Sequence, residues 1–479
     1  MDKYKRLAFN TVIFTIGSFG SKIISLLLNN LYTEHISPSQ LYTKSLLEML
    51  ALFLIPVFTL SLREAVIRYG LDNNYDKTEV FTTSSVLTLL GLLPMIVIVP
   101  LIHFIPLFSS LEGFAVLLIV YIFTSSVRAQ CSQFVRAREL VRLFSFDGIL
   151  TTLLLLVFNI IFISHMGMGV RGFMLSTILS DLSSSVFLFF AAGLRRYLKA
   201  GAFSLELGKV MLRFCIPLIP TTVMWTFTGF SDQLFIGGIK GDDDAGIYSA
   251  ATKIPNLVSM LSTIFFQSWN MSAITENDSS DRNIFYEKVY GAYEAVLFIG
   301  SAGLILLVKP LSAVLINYSV YPEYKTAYLY TPLLITAAVF TCLDLFLASI
   351  YTATDHTKNA FITILVVCLS NIVLNSVMIP LFGIQGAALA TFISYFLCYI
   401  IRIIDARRFV PFKCRIAVNI IGTALILVMS LLVVLKPKGY ILTELLLTGV
   451  VTIVFIRPLM PLIQRVSSRL RRTPPTDTK

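Results

Sequence analysis

The stretch SDQLFIGGIKGDDDAGIYSAATKIP, Ser231–Pro255, decides how the chain is read. One apolar segment ends inside it, a short acidic turn follows at Asp242–Asp244, and a second apolar segment starts near Gly246. Lys253 falls about 10 Å along that second segment if it is helical, at ~1.5 Å per residue. Pro255, two residues on, lacks a backbone donor and bends or breaks the helix. An ionisable side chain at that depth costs roughly 2.5 kcal/mol or more when it faces lipid, so it is expected to face a bundle interior or a wet cavity. A charge and a break together inside an apolar span point to a pathway rather than a catalytic pocket.

Composition agrees. Of 479 residues, 56% are apolar and only 14% charged, and the mean hydropathy is +0.81. Soluble proteins carry about a quarter charged residues, so the chain reads as a polytopic membrane protein. The net charge of +11 would suit nucleic acid only if basic residues shared one water-facing surface with aromatic or polar readers between them, and the topology distributes them otherwise. The six cysteines are far apart with no C-x-x-C pair, which makes them small core residues. His35, His103, His165 and His356 are dispersed and form no metal-ligand pattern. The amino terminus begins basic and continues into a long apolar run without a small-x-small cleavage site, as an uncleaved first span would. No metal or cofactor is expected.

Windows of about 20 apolar residues give fourteen spans: Leu7–Leu31, Leu41–Ser61, Val80–Ile102, Glu112–Val127, Phe146–His165, Val170–Gly193, Val210–Asp232, Ile247–Met271, Val289–Val308, Ala327–Ile350, Ala360–Pro380, Ile384–Ile404, Ile416–Leu435 and Tyr440–Ile456. A further short piece, Leu311–Ile316, has the look of a re-entrant segment. Most of the 38 Lys and Arg fall on one side when both termini are placed in the cytoplasm, including Arg128 after the fourth span and Arg402 after the twelfth. Only Lys22 and Lys253 are placed well inside spans. No connection is long enough for a soluble catalytic domain, so function must reside among the helices and no enzyme activity is expected.

The chain also repeats. Asn159 followed by GVRGFMLSTILS (Gly169–Ser180) is echoed by Asn375 followed by GIQGAALATFIS (Gly383–Ser394), about 214 residues later. QLYTKS (Gln40–Ser45) is echoed by GIYSAA (Gly246–Ala251) at a similar offset. Similar offsets at corresponding spans imply two six-helix halves running the same way through the membrane, with two helices added at the end. The expected domains are a first bundle at 1–200, a second at 201–410, two additional helices at 411–460 and a basic cytoplasmic tail at 461–479. Small residues such as Gly383, Gly386 and Ala387 suit close helix packing.

Three features carry a family resemblance: the six-plus-six-plus-two arrangement, the Ala245–Ile254 run after Asp232, and the Asn375–Thr391 run. Together they resemble the polysaccharide-transporter, or oligosaccharide flippase, branch of the multidrug/oligosaccharidyl-lipid/polysaccharide (MOP) exporter superfamily. The stretch after the first span, Thr33–Lys44, departs from the branch pattern and keeps only Tyr42. The resemblance implies an all-α exporter of undecaprenyl-diphosphate-linked oligosaccharide in a bacterial cytoplasmic membrane. It would work by alternating access as a monomer, with membrane lipids and polysaccharide-assembly enzymes as partners. The rivals are an ion-coupled multidrug exporter, a flippase for the cell-wall precursor lipid II, and, from another class, a membrane enzyme acting on lipid-linked sugars. The multidrug reading would call for carboxylates where Lys22 and Lys253 stand.

An anionic diphosphate in a low-dielectric cavity needs fixed positive charge, which assigns Lys22 and Lys253 to substrate binding. Asp181, Asp344 and Asp232 are candidates for ion coupling or an internal salt bridge. Arg63, Glu64 and Arg68 in SLREAVIRYG are candidates for an inner gate, and Pro217, Pro220 and Pro255 for hinges.

Overall fold

A computed structural model describes residue 24 and residues 27–72, 74–275, 281–354 and 356–460. Among them secondary structure is helical throughout. In chain order we label the helices α1 Pro38–Phe58, α2 Leu62–Leu71, α3 Lys77–Leu101, α4 Ala115–Ala137, α5 Val141–His165, α6 Gly169–Ala191, α7 Leu205–Cys215, α8 Leu218–Lys240, α9 Asp242–Ala251, α10 Pro255–Thr275, α11 Arg282–Leu306, α12 Val308–Leu315, α13 Thr331–Ala353, α14 Thr357–Phe382, α15 Ile384–Phe409, α16 Ile416–Leu435 and α17 Tyr440–Phe455. Ten described helices are long and apolar enough to cross a membrane, and an eleventh crossing is counted if α7 and α8, bent by 42° at their break, form one span. The expected first span lies largely outside the described residues, while α10 and the shorter α17 occupy the eighth and fourteenth expected positions. The piece expected at Leu311–Ile316 is the short helix α12.

Helix boundaries follow from local chemistry. The Ser37 side chain accepts from the Gln40 N–H and Pro38 occupies the first turn, so α1 starts with an orphan donor satisfied and a residue that needs none. Asp76 and Ser204 cap α3 and α7 in the same manner. At the other end of α1, Leu60 and Ser61 both adopt left-handed backbone angles, a conformation costing roughly 1–2 kcal/mol per non-glycine residue. Neighbours hold this break in place: the Phe58 carbonyl lies 2.2 Å from where a Cβ on Gly91 would be, and the Cys215 thiol donates to the Ser61 carbonyl at 3.4 Å.

The described chain forms two compact units. The first comprises Met1–Ala250, Ala313–Lys325 and Asn375–Ala387; the second comprises Ala251–Ser312, Thr326–Leu374 and Ala388–Lys479. In the first, α4, α5 and α6 pack on one another and α2 lies against α3, α4 and α7. Phe81, Phe134, Val135 and Leu188 fill one apolar cluster there, while Leu62, Ala65, Leu207 and Met211 fill another. In the second unit α10 packs along α13, and α11 runs beside α13, α16 and α17. Phe265, Trp269, Tyr293 and Phe346 stack in its core. The outward surface of α16 and α17 is apolar, with Ile420, Leu435, Ile441, Leu446 and Ile453 exposed, as expected for helices whose solvent is hydrocarbon.

The repeated G-x-x-G motif has a geometric cause in both copies. Gly169 and Gly383 have φ of +54° and +60°, which turns the chain into the next helix with no Cβ penalty. Gly172 and Gly386 then sit where backbone is close: a Cβ on Gly172 would lie 3.1 Å from the Phe162 carbonyl carbon, and one on Gly386 would lie 2.0 Å from the Met378 carbonyl oxygen. The packing role expected of the motif is thus what the backbone shows.

Gly246 is tighter still, since its Cβ would meet the Pro38 carbonyl oxygen at 1.8 Å. Gly246→Ala is therefore expected to destabilise the protein by at least about 1–3 kcal/mol. Gly148→Ala, at an open helical position, is expected to be neutral or to stabilise by up to about 1 kcal/mol. Thermal unfolding of the two purified variants in one detergent checks the contrast.

Candidate functional site

The residues that carried the resemblance converge within the first unit. Asp232 in α8 is buried. It accepts hydrogen bonds from the Tyr248 hydroxyl in α9 and from Asn375 Nδ2 at 2.7 Å. Asp232 thus ties together the two helices flanking the acidic turn, as well as the Asn375 segment. At the turn, Asp243 Oδ1 accepts the Ser39 N–H at 3.1 Å, and burial together with Asp243 raises the Asp242 carboxyl above its ordinary value. The Ser45 and Ser249 hydroxyls pair at 2.7 Å, so the two echoing stretches, QLYTKS and GIYSAA, touch.

The expected breaks are present. Thr252–Ile254 form the turn between α9 and α10, Lys253 lies in it half-buried, and Pro255 opens α10. Pro217 caps α8 at the 42° bend after α7, with Pro220 in the following turn. Arg63, Glu64 and Arg68 stand in α2; Arg63 Nε reaches Glu64 Oε1 at 3.0 Å on the surface, and Arg68 covers the Phe214 ring at 4.5 Å. Lys22 lies outside the described residues.

Other ionisable residues proved to be buried, and here the sequence reading needs correction: Lys253 is not the only basic residue set deep in a described span. Arg402, assigned to the cytoplasmic side, is 1% exposed. It donates from Nε to Thr363 Oγ1 at 2.9 Å and from Nη1 to the Asp344 carbonyl at 2.8 Å. Arg402 falls two residues inside the end of the expected span Ile384–Ile404, and because α15 continues to Phe409 that position is helix interior rather than a mouth. Lys44, in the first turn of the expected second span Leu41–Ser61, lies inside α1 and is 3% exposed.

Arg128 was also read as a topology residue, yet it stands between two carboxylates. Its Nη2 is 3.6 Å from Asp147 Oδ2, its Nη1 is 3.6 Å from Asp181 Oδ1, and its Nε donates to Ser184 Oγ at 3.1 Å. Ser184 and Ser125 donate in turn to Asp147 and Asp181. Asp181 is therefore placed in an internal salt bridge, one of the two roles expected of it. The two charged clusters occupy matching places in the repeat. In the first unit Arg128 on α4 is met by groups on α5 and α6; in the second, Arg402 on α15 reaches the Asp344 carbonyl on α13 and the Thr363 hydroxyl on α14. The signs are inverted, with the cation on the first helix of one trio and on the last of the other. The second unit holds a further buried acid, Glu294, 3.6 Å from Arg415 Nη2 and beside linked Tyr290, Tyr399 and Asn419. Among the described residues no group of three or more His, Cys, Asp or Glu is arranged to hold a metal ion.

A helical chain with many membrane crossings, broken spans and charged groups buried between its helices shares its fold with known structures. It is similar to the lipid II flippase MurJ in an inward closed conformation, at TM-score 0.71 and 16% identity over 94% of this chain and 100% of that one. It is similar to an inward-facing multidrug resistance MATE family transporter of the MOP superfamily, at TM-score 0.64 and 16% identity over 83% and 98%. A MOP superfamily transporter from Pyrococcus furiosus Vc1, with a binding pocket described as reversed in polarity, matches at TM-score 0.55 and 15% identity over 83% and 95%. No curated protein matches the chain. The family model for polysaccharide biosynthesis proteins matches residues 45–316, more than half of the sequence. The chain belongs to that family.

Arg402→Met strands the Thr363 hydroxyl and the Asp344 main-chain carbonyl and is expected to lower stability by about 1–3 kcal/mol, which the unfolding midpoint of the variant against the parent measures.

Proposed function

We propose that the protein is a flippase moving polyprenyl-diphosphate-linked oligosaccharide, with undecaprenyl as the lipid, across the cytoplasmic membrane by alternating access. Both termini would face the cytoplasm, and the six-plus-six-plus-two division would supply the moving bundles. The observation that carries the substrate class is Lys253, a cation held at a break between two membrane helices within the stretch matched by the family model. A diphosphate crossing an apolar region needs a fixed positive charge of this kind, and a helix break lets the site change its surroundings without unfolding a whole span. Lys22 would supply a second cation in the first bundle. The matched glycine turns at Gly169 and Gly383 support the two-half reading, and the bend at Pro217 supports a hinge there.

Asp232, held by Tyr248 and Asn375, is a candidate for ion coupling alongside Asp181 and Asp344. Coupling is not energetically required. A dianion moving outward across an inside-negative membrane gains roughly 4.6 kcal/mol per 100 mV.

In proteoliposomes the parent protein is expected to translocate a fluorescent polyprenyl-diphosphate oligosaccharide, faster as the imposed inside-negative potential is raised. Lys253→Ala is expected to lose at least about tenfold in rate at matched folded protein. Export of cationic dyes by a parent that ignores the lipid would replace this reading with the multidrug one.

A further inference from the structure

The segment Ala313–Lys325 packs with the first unit, although the chain on either side of it belongs to the second. It runs from the last turn of α12 through a short loop into a 3-10 turn at Pro322–Leu329. Because α12 stops at Leu315, the carbonyls of its last turn lack partners within the helix. The helix that continues the expected first span supplies donors in their place: Asn29 Nδ2 reaches the Leu315 carbonyl and Asn30 Nδ2 the Val314 carbonyl, both at 2.7 Å, across 286 and 284 positions of sequence. One turn on, Thr33 Oγ1 accepts the Asn317 N–H at 2.8 Å. Ile316, between these bonds, is fully buried. At the far end the Tyr324 side chain, also fully buried, donates from its hydroxyl to the Ile36 carbonyl at 3.0 Å.

The two ends of this strap are made differently. Tyr324 is held where water is excluded. Val314 is 69% exposed and the Asn30 bond lies at the surface, where water can replace either partner with a small net loss. Closing also leaves Asn29 Oδ1 buried without a hydrogen-bond partner among the described residues, which offsets part of what the Asn29 bond contributes. The strap is pinned at Tyr324 and tied weakly over residues 314–317.

We propose that residues 314–317 are a releasable latch, closed over the end of the first span in this conformation and opened in each transport cycle while Tyr324 serves as the pivot. The proposal rests on the flippase reading, which makes this the outer end and requires that end to open. Release exchanges the Asn29 and Asn30 donors for water at the Leu315 and Val314 carbonyls, separates Asn317 from Thr33 and admits solvent to Ile316. Asn29, Asn30 and Thr33 are then positioning residues that set how often the latch is open.

Two measurements on the full-length protein test this. In nanodiscs, maleimide labelling of the cysteine in Ile316→Cys, read at that site by mass spectrometry, should be slow. Adding Asn29→Ala/Asn30→Ala should speed it at least about tenfold, the combined worth of two such bonds. A labelling rate that the two alanines leave unchanged would overturn the proposal. In proteoliposomes, Asn30→Cys/Val314→Cys should translocate the polyprenyl-diphosphate oligosaccharide when reduced and lose at least about tenfold in rate when oxidised to the cross-linked form. Recovery on reduction would show that the fold survived and that the lost motion caused the loss. Equal rates for the cross-linked and reduced forms would make the strap a fixed seal and overturn the proposal. A parent that translocates nothing would overturn the flippase reading itself, while the labelling rates, which need no substrate, still decide whether the latch opens.

Discussion

A charge placed among apolar helices must take its compensation with it, because hydrocarbon offers none. That constraint explains much of this fold's polar detail. Arg128 carries two aspartates and a serine around it, Arg402 a threonine and a backbone carbonyl, Lys44 a glutamate and two rings. The Arg128 and Arg402 arrangements fix the register of the helices that contribute to them, since sliding one helix by a turn would part the groups. The apolar contacts around them are interchangeable by comparison. Leu, Ile and Val face lipid and one another over much of the surface, and such contacts give area without address.

The clusters also show how two similar trios of helices can be held by opposite means. In the first unit one cation meets two anions; in the second a cation at the far helix meets a hydroxyl and a main-chain carbonyl. Both pin the same three successive spans, so what the repeat preserves is the place of the pin rather than its sign. Asp232 is held from two sides, by Tyr248 on the next helix and by Asn375 from far along the chain.

Much of this could be read in the sequence, for reasons that differ from residue to residue. Pro217 and Pro255 announced their breaks because a missing donor acts locally whatever surrounds it. Gly169 and Gly383 were legible because the repeat presented the same turn twice. Asp232, Tyr248 and Asn375 were each noticed within separate motifs, but their meeting depends on chain distances that local pattern does not encode. Arg128 was misplaced because its apolar window ended at Val127 while the helix runs on to Ala137, whereas Lys44 and Arg402 fell just inside the ends of their expected spans and were read as boundary charges. Asp147 drew no notice at all, because a single acid near a span boundary looks like a solvated one until its partners on neighbouring helices are known.

The contact between the two echoing stretches has a consequence for how this protein tolerates change. Pro38 presents its carbonyl where Gly246 lacks a side chain, and the Ser45 hydroxyl meets that of Ser249. Positions 38, 45, 246 and 249 therefore do not vary independently. A larger residue at 246 is admissible only if the backbone at 38 retreats, and an apolar residue at 45 strands the hydroxyl at 249. A library randomised at any one of these positions would report intolerance, whereas one randomised at facing positions together would uncover pairs that neither scan predicts. What looks like four conserved requirements would behave as two joint ones, with epistasis written into the closeness of the backbones.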